Sequence, residues 1–312
     1  MKKSTFAIML LASGAMLAAC TQEKLSDEIP AGQVPLQVSS DILTRAYDNV
    51  WEAGDAIGIT GTSGSKTYTN VSYTTTGDGH FSITNSGEEI YFQNDDEVTF
   101  TAYYPWNDDT EFENVDTWYQ AEQKTFDFLW AQATGSKANP SVAFSFNHVM
   151  SKLVITVKAG DDVTLSEIQN AKLSLSGFNH LGTFDVTDGS TSTVNNAAEY
   201  TFAGNTDARY NAPYTENVAE SSRTFTLILF PQLFGSYPTF KAEFTAAPDT
   251  QEFTANLDFT SANATRSDNP ARNEWVAGRQ YNLIVTLHKT PSNNSGSIGN
   301  WVDTGNITTD AR

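Results

Sequence analysis

Apolar and polar side chains alternate one for one along much of the chain. Val34, Leu36 and Val38 alternate with Pro35, Gln37 and Ser39, and the same spacing recurs at 56–59, 98–102, 153–157, 240–244 and 283–287. Successive side chains of a strand point to opposite faces, so this spacing predicts strands with one face on a core. Val, Thr, Tyr and Phe fill these runs, while Asn, Asp, Gly and Ser crowd the gaps. The nearly continuous apolar run at 225–230 predicts a strand buried on both faces or at a sandwich centre. No segment keeps a helical stripe over three turns, and 121–133 is the best candidate for one short helix. Short strands at this spacing predict an all-β chain built of antiparallel sandwiches.

A chain of 312 residues exceeds one typical domain, so two are expected. The turn-rich stretch 135–140 lacks strand pattern and fresh alternation begins at Val142, which divides an N-terminal domain (33–140) from a C-terminal one (141–312). Residues 188–217, rich in Asn, Thr, Ala and Ser, predict long loops inside the second domain.

The chain opens on Lys2-Lys3 and an apolar run at 6–17, ending in Leu17-Ala18-Ala19-Cys20. A positive start, a short apolar run and small residues before a cleavage point make residues 1–19 a secretory signal, too short to span a bilayer. A cysteine directly after Leu-Ala-Ala resembles the bacterial lipobox, which implies that Cys20 is lipidated and anchors the protein to the outer membrane, facing the cell surface. Residues 20–32 are polar and predict a flexible tether. Cys20 is the only cysteine, so no thiol remains for a disulfide, although export would permit one.

Thirty-seven acidic side chains stand against eighteen basic ones, a formal charge of −19. Such a surface repels nucleic acid and anionic membrane. The histidines at 80, 148, 180 and 288 lie far apart, so no metal site is expected, nor any cofactor, and His148 is expected to be a hydrogen-bonded structural residue. No Gly-x-Ser-x-Gly elbow is present. The acidic pairs Asp95-Asp96, Asp108-Asp109 and Asp161-Asp162 sit between strand runs, where Asp favours turns. No catalytic residue is expected, and the chain is not read as an enzyme. The aromatics Trp106, Trp118, Tyr119 and Trp130 are candidates for recognition of a sugar or a protein partner, with core packing the favoured alternative.

Several segments carry a family likeness. Residues 51–59 (WEAGDAIGI), 98–105 (VTFTAYYP), 127–131 (DFLWA), 144–153 (FSFNHVMSKL), 277–281 (AGRQY) and the late Trp301 stand in order after the lipobox. Together they resemble the fimbrillin-like lipoproteins of Bacteroidales. The resemblance implies two tandem transthyretin-like Greek-key β-sandwich domains and a role as pilin or pilus-associated adhesin. It further implies that an arginine-specific protease cuts between Arg45 and Ala46, removing the first strand with its lipid (33–45). A strand from another fimbrial subunit, the same or a related chain, then fills the groove.

Physical chemistry allows this, because losing a strand exposes unpaired backbone groups beside an apolar groove. Val34, Leu36, Val38 and Ile42 are spaced to fill one; a permanent first strand with Arg45 uncut would carry the same pattern. In the tail, Ile298, Trp301, Val302 and Ile307 are not strictly two apart, and Gly296, Gly299 and Gly305 interrupt it. That favours a tip or accessory subunit over a stalk pilin. The alternative function is a non-polymerising surface lipoprotein that binds glycan, or a host or bacterial surface protein, through the aromatic loop.

Overall fold

The alternating runs become strands gathered into two layered units, in a computed structural model that describes residues 32–42, 50–246, 249–260, 272–289 and 306–311. The first unit holds β1 (Val34–Pro35), β2 (Gln37–Ile42), β3 (Ala56–Ser63), β4 (Lys66–Thr75), β5 (His80–Ile83), β6 (Tyr91–Phe92), β7 (Val98–Tyr104), β8 (Phe112–Asp116), β9 (Leu129–Gly135) and β10 (Ser141–His148). Seven of these close a ladder in the order β10-β2-β5-β4-β3-β7-β9. Period two does the sorting: Val142, Phe144, Phe146 and His148 of β10 point inward while the residues between them face solvent. Ile57, Ile59, Phe100 and Phe146 fill the interior. At Gly61 the β3–β4 register shifts, and a Cβ there would stand 2.4 Å from the Phe100 ring, which explains the glycine.

Strand β10, which follows the turn-rich stretch, pairs with both β2 and β9. Residues 136–140 form the loop between β9 and β10, in which Ser136 and Asn139 exchange backbone hydrogen bonds. Turn chemistry marks a hairpin as readily as a linker.

The second unit holds β11 (Ser151–Ala159), β12 (Lys172–Ser176), β13 (Leu181–Phe184), β14 (Thr191–Thr193), β15 (Tyr200–Ala203), β16 (Tyr214–Asn217), β17 (Ser222–Leu229), β18 (Gln232–Leu233), β19 (Thr239–Ala246), β20 (Asp249–Asn256), β21 (Glu274–Trp275), β22 (Gln280–Leu287) and β23 (Asn306–Ala311). A five-stranded sheet, β16-β17-β11-β22-β23, packs on a four-stranded one, β15-β12-β19-β20. In β17, Phe225, Leu227 and Leu229 face the sandwich core and Ile228 the junction between units, so the strand is covered on both faces.

Two local expectations are corrected. Residues 188–217 hold β14, β15 and β16, because Tyr200 and Phe202 anchor a strand in the core despite their polar neighbours. Within 121–133 only a short 3-10 helix forms, Gln120–Thr125. From Leu129 the chain turns to strand, since a seven-residue ladder with β7 outweighs local preference.

The units share a core. Strand β8 leaves the first and pairs with β13 of the second. Around it Tyr103, Phe112 and Phe128 meet Phe184, Ile228 and Phe230, and Phe128 stacks on Phe184 with centroids 4.4 Å apart. Each such ring contributes roughly 1.5–3 kcal/mol on burial.

Candidate functional site

The first strand is the element whose seat matters most. Leu36 and Val38 are 6% and 5% exposed, while Val34 and Ile42 are half-buried. Toward β10 the strand pairs in parallel over six consecutive residues, from Gln37↔Ser141 to Ile42↔Phe146. Toward β5 only Val38↔Phe81 and Ser39↔His80 pair, supplemented by Ser40 N–H to Gly79 O at 2.8 Å. Beside this short seam lies a groove of about 410 Å³ lined by Leu36, Val38, Tyr73, Phe81 and Ile83. The Tyr73 hydroxyl accepts the Ile90 N–H at 3.2 Å, and burial pushes its pKa up to about 12, so it stays neutral. The strand is thus fully laddered on one side and lightly held on the other.

At the other end of the chain, β23 pairs in parallel with β22 over six residues, from Asn306↔Asn282 to Ala311↔Leu287. Strands β2 and β23 therefore each make one parallel, six-residue register, with β10 and β22 respectively, while β2 also pairs antiparallel with β5. Their sequences match in chemistry position by position: Gln-Val-Ser-Ser-Asp-Ile in β2, Asn-Ile-Thr-Thr-Asp-Ala in β23. Each runs amide, β-branched apolar, two hydroxyls, aspartate, apolar. The irregular tail spacing at 297–302 hid this shorter alternating piece.

Cys20, Arg45, Ala46 and Trp301 lie outside the described residues. The four aromatics are all half-buried. Trp106 and Trp130 pack against the junction core, and their indole N–H groups donate to Asn70 O (3.3 Å) and Val186 O (3.1 Å). Trp118 stacks on His180 at 3.6 Å and packs against the sandwich core. Tyr119 packs on Tyr210 at 5.1 Å under the Arg209 guanidinium. Each has a packing role, and they are divided between two cores.

His148 Nδ1 lies 2.9 Å from Asp127 Oδ1, and His180 Nδ1 2.8 Å from Asp116 Oδ1. No group of three metal-ligating side chains gathers among the described residues. The acidic pairs fall in bends and turns; Asp109, for example, accepts the Glu111 N–H at 3.0 Å. Sequence reasoning missed Gln120 and Gln123, whose amides hydrogen-bond to the backbone of β17. Their partners lie more than a hundred residues away, and no local pattern signals such a bond. The arrangement offers backbone pairing and apolar sockets.

The profile of the fimbrillin-like family matches residues 44–301. A relative from Bacteroides uniformis, named "Putative fimbrium subunit Fim1C", is 30% identical over 329 residues, covering 96% of this chain and 99% of the relative. Among solved structures, a "putative cell adhesion protein" from Bacteroides uniformis superposes with a TM-score of 0.64 at 28% identity, over 83% of this chain and 95% of that one. A second, from Bacteroides ovatus, gives a TM-score of 0.61 at 23% identity, over 81% and 92%, and shares the fold.

Proposed function

The chain belongs to the fimbrillin-like family, and we propose that it is a structural or adhesive fimbrial subunit of the cell surface, assembled by strand exchange. It is exported as a lipoprotein through Cys20. Cleavage between Arg45 and Ala46 then releases the first strand, and the C-terminal strand of another copy or a related subunit takes its place.

The observation that carries this reading is the correspondence between β2 and β23: six-residue parallel registers and matching side-chain chemistry. Removing β2 would leave the β10 and β5 edges unpaired and uncover the sockets of Leu36 and Val38, burial of which is worth roughly 1.5–3 kcal/mol each. A strand offering Ile307 where Val38 sat restores both ladder and apolar contact. A chain with both an acceptor groove and a donor strand suits a position inside the polymer, so this correspondence weighs against a terminal tip role. The glycan-binding alternative loses weight because its aromatics are committed to packing.

The test is N-terminal sequencing and intact mass of the protein from the native surface, with native gels of the recombinant precursor before and after arginine-specific proteolysis. A mature chain starting at Ala46 and ladders appearing after the cut support the reading. A lipidated Cys20 terminus on the native protein, together with a recombinant precursor that stays monomeric after proteolysis, refutes it.

A further inference from the structure

The first strand changes partners partway along. Val34 and Pro35 of β1 pair with Phe92 and Tyr91 of β6, and from Gln37 onward β2 pairs with β10. Leu36 stands at the crossing. Its N–H donates to Ile90 O at 2.8 Å, and the Gln37 N–H donates to Pro140 O at 2.9 Å. The Ile90 N–H is held in turn by the Tyr73 hydroxyl, so both backbone groups of Ile90 are engaged at this point. The Leu36 side chain is almost fully enclosed and belongs to the same core as Tyr73, Phe81, Ile90 and Phe92. It also forms one wall of the groove of about 410 Å³ described above, opposite Ile83.

The correspondence between β2 and β23 ends at this seat. Gln37 matches Asn306 and Val38 matches Ile307, so one residue earlier Leu36 matches Gly305. Before that, Pro35 matches Thr304 and Val34 matches Asp303. The chain's own C-terminal sequence thus suits the half of the groove beside β10 and not the half beside β6. Glycine keeps the N–H that Ile90 O accepts but brings no side chain, so the mismatch at this position is one of apolar filling alone. An unfilled seat costs the surrounding residues their contacts.

We propose that the Leu36 seat is the specificity-determining subsite of the acceptor groove. It takes a large aliphatic side chain carried two residues ahead of the one that fills the Val38 seat. The proposal rests on strand exchange as the mode of assembly. The occupant it selects is the strand of a related subunit with that pattern, in preference to a second copy of this chain, whose Gly305 leaves the seat empty. Backbone pairing is common to every donor and supplies affinity, whereas a side-chain pocket supplies the choice. An apolar pocket favours the occupant that buries more apolar area, and it rejects a polar side chain of equal size, which would lose its water without gaining a partner.

The test is competition for the groove by synthetic peptides spanning residues 301–312, on the unaltered precursor cut after Arg45. One peptide has the natural sequence, a second carries Gly305→Leu, and a third carries Gly305→Gln, which matches leucine in size without its apolarity. Displacement of the released first strand is followed by native mass spectrometry. The leucine peptide should bind at least about tenfold more tightly than either of the others, the gain expected from burying one leucine side chain. Affinities all within about threefold overturn the assignment and leave strand exchange standing. A glutamine peptide as tight as the leucine one also overturns it, since the gain would then come from losing glycine's backbone freedom. If no peptide displaces the first strand, strand exchange itself fails and the assignment falls with it.

Discussion

Gln120 and Ile228 exchange two hydrogen bonds: Gln120 Nε2 donates to Ile228 O at 2.8 Å, and Ile228 N–H donates to Gln120 Oε1 at 3.0 Å. Strand β16 covers β17 only from Ser222 to Phe225, so the backbone beyond needs other partners. Gln120 supplies them, and Gln123 Nε2 adds a bond to Thr226 O at 2.7 Å. A pair of side-chain amides from the first half thus stands in for a missing piece of strand and fastens the two units.

Replacing Gln120 by Leu keeps its volume and leaves the Ile228 N–H and C=O buried without partners. Each orphaned group costs about 1–3 kcal/mol, so Gln120→Leu should lose roughly 2–4 kcal/mol in urea unfolding. A loss below about 0.5 kcal/mol would mean that these bonds hold nothing.

Trp118 lies flat on His180 and packs against the sandwich core, yet its buried Nε1 has no partner. Shape therefore matters more than the N–H. Trp118→Phe should cost less than about 1.5 kcal/mol, while Trp118→Ala should cost about 3 kcal/mol by opening a cavity over His180. Equal costs in thermal unfolding would contradict this account.

Glu167 sits in a capping box with Thr164 and pairs with Lys289 at 2.5 Å. The hydrogen bond from Lys289, then the Thr164 N–H, hold its carboxyl below the ordinary glutamate range. A depressed folded-state value makes its contribution complete above the unfolded pKa and lost as pH falls through the folded one. Glu167→Gln should therefore be less stable than the parent near neutral pH and converge with it as pH drops below about 4. A gap that persists unchanged into acid would show that charge plays no part.

Val38 should matter before maturation and not after it. Val38→Ala is expected to lower precursor stability by about 1–3 kcal/mol, since the side chain is almost fully enclosed. In the proposed polymer that residue has left, so assembled material should melt as the parent does. Ile307→Ala should instead weaken the polymer. If Val38→Ala weakens both equally, the first strand never leaves.

The strands themselves were readable in the sequence because one buried face imposes period two, as β10 and β22 display over their full lengths. What spans distance was not. Nothing in the letters of the turn at 136–140 signals that Ser141–His148 pairs with β2. Residues 129–135 are helix-compatible until β7 lies beside them. The Gln120–Ile228 exchange brings together residues whose spacing carries no signal. The likeness between β2 and β23 was present in the letters, but a six-residue match becomes meaningful only once each is seen to hold a parallel six-residue register.

Strand exchange makes one prediction that no other assembly shares. Val38 pairs with Val142, and Ile307 holds the matching position in the C-terminal strand. In a Cys20→Ser background, copies carrying Val142→Cys are mixed with copies carrying Ile307→Cys, with and without cleavage at Arg45, and cross-linked species are weighed by mass spectrometry. The account predicts a disulfide-linked pair between residues 142 and 307 of different copies, formed only after the cut. Absence of that pair in cleaved material, or its formation regardless of cleavage, would contradict it.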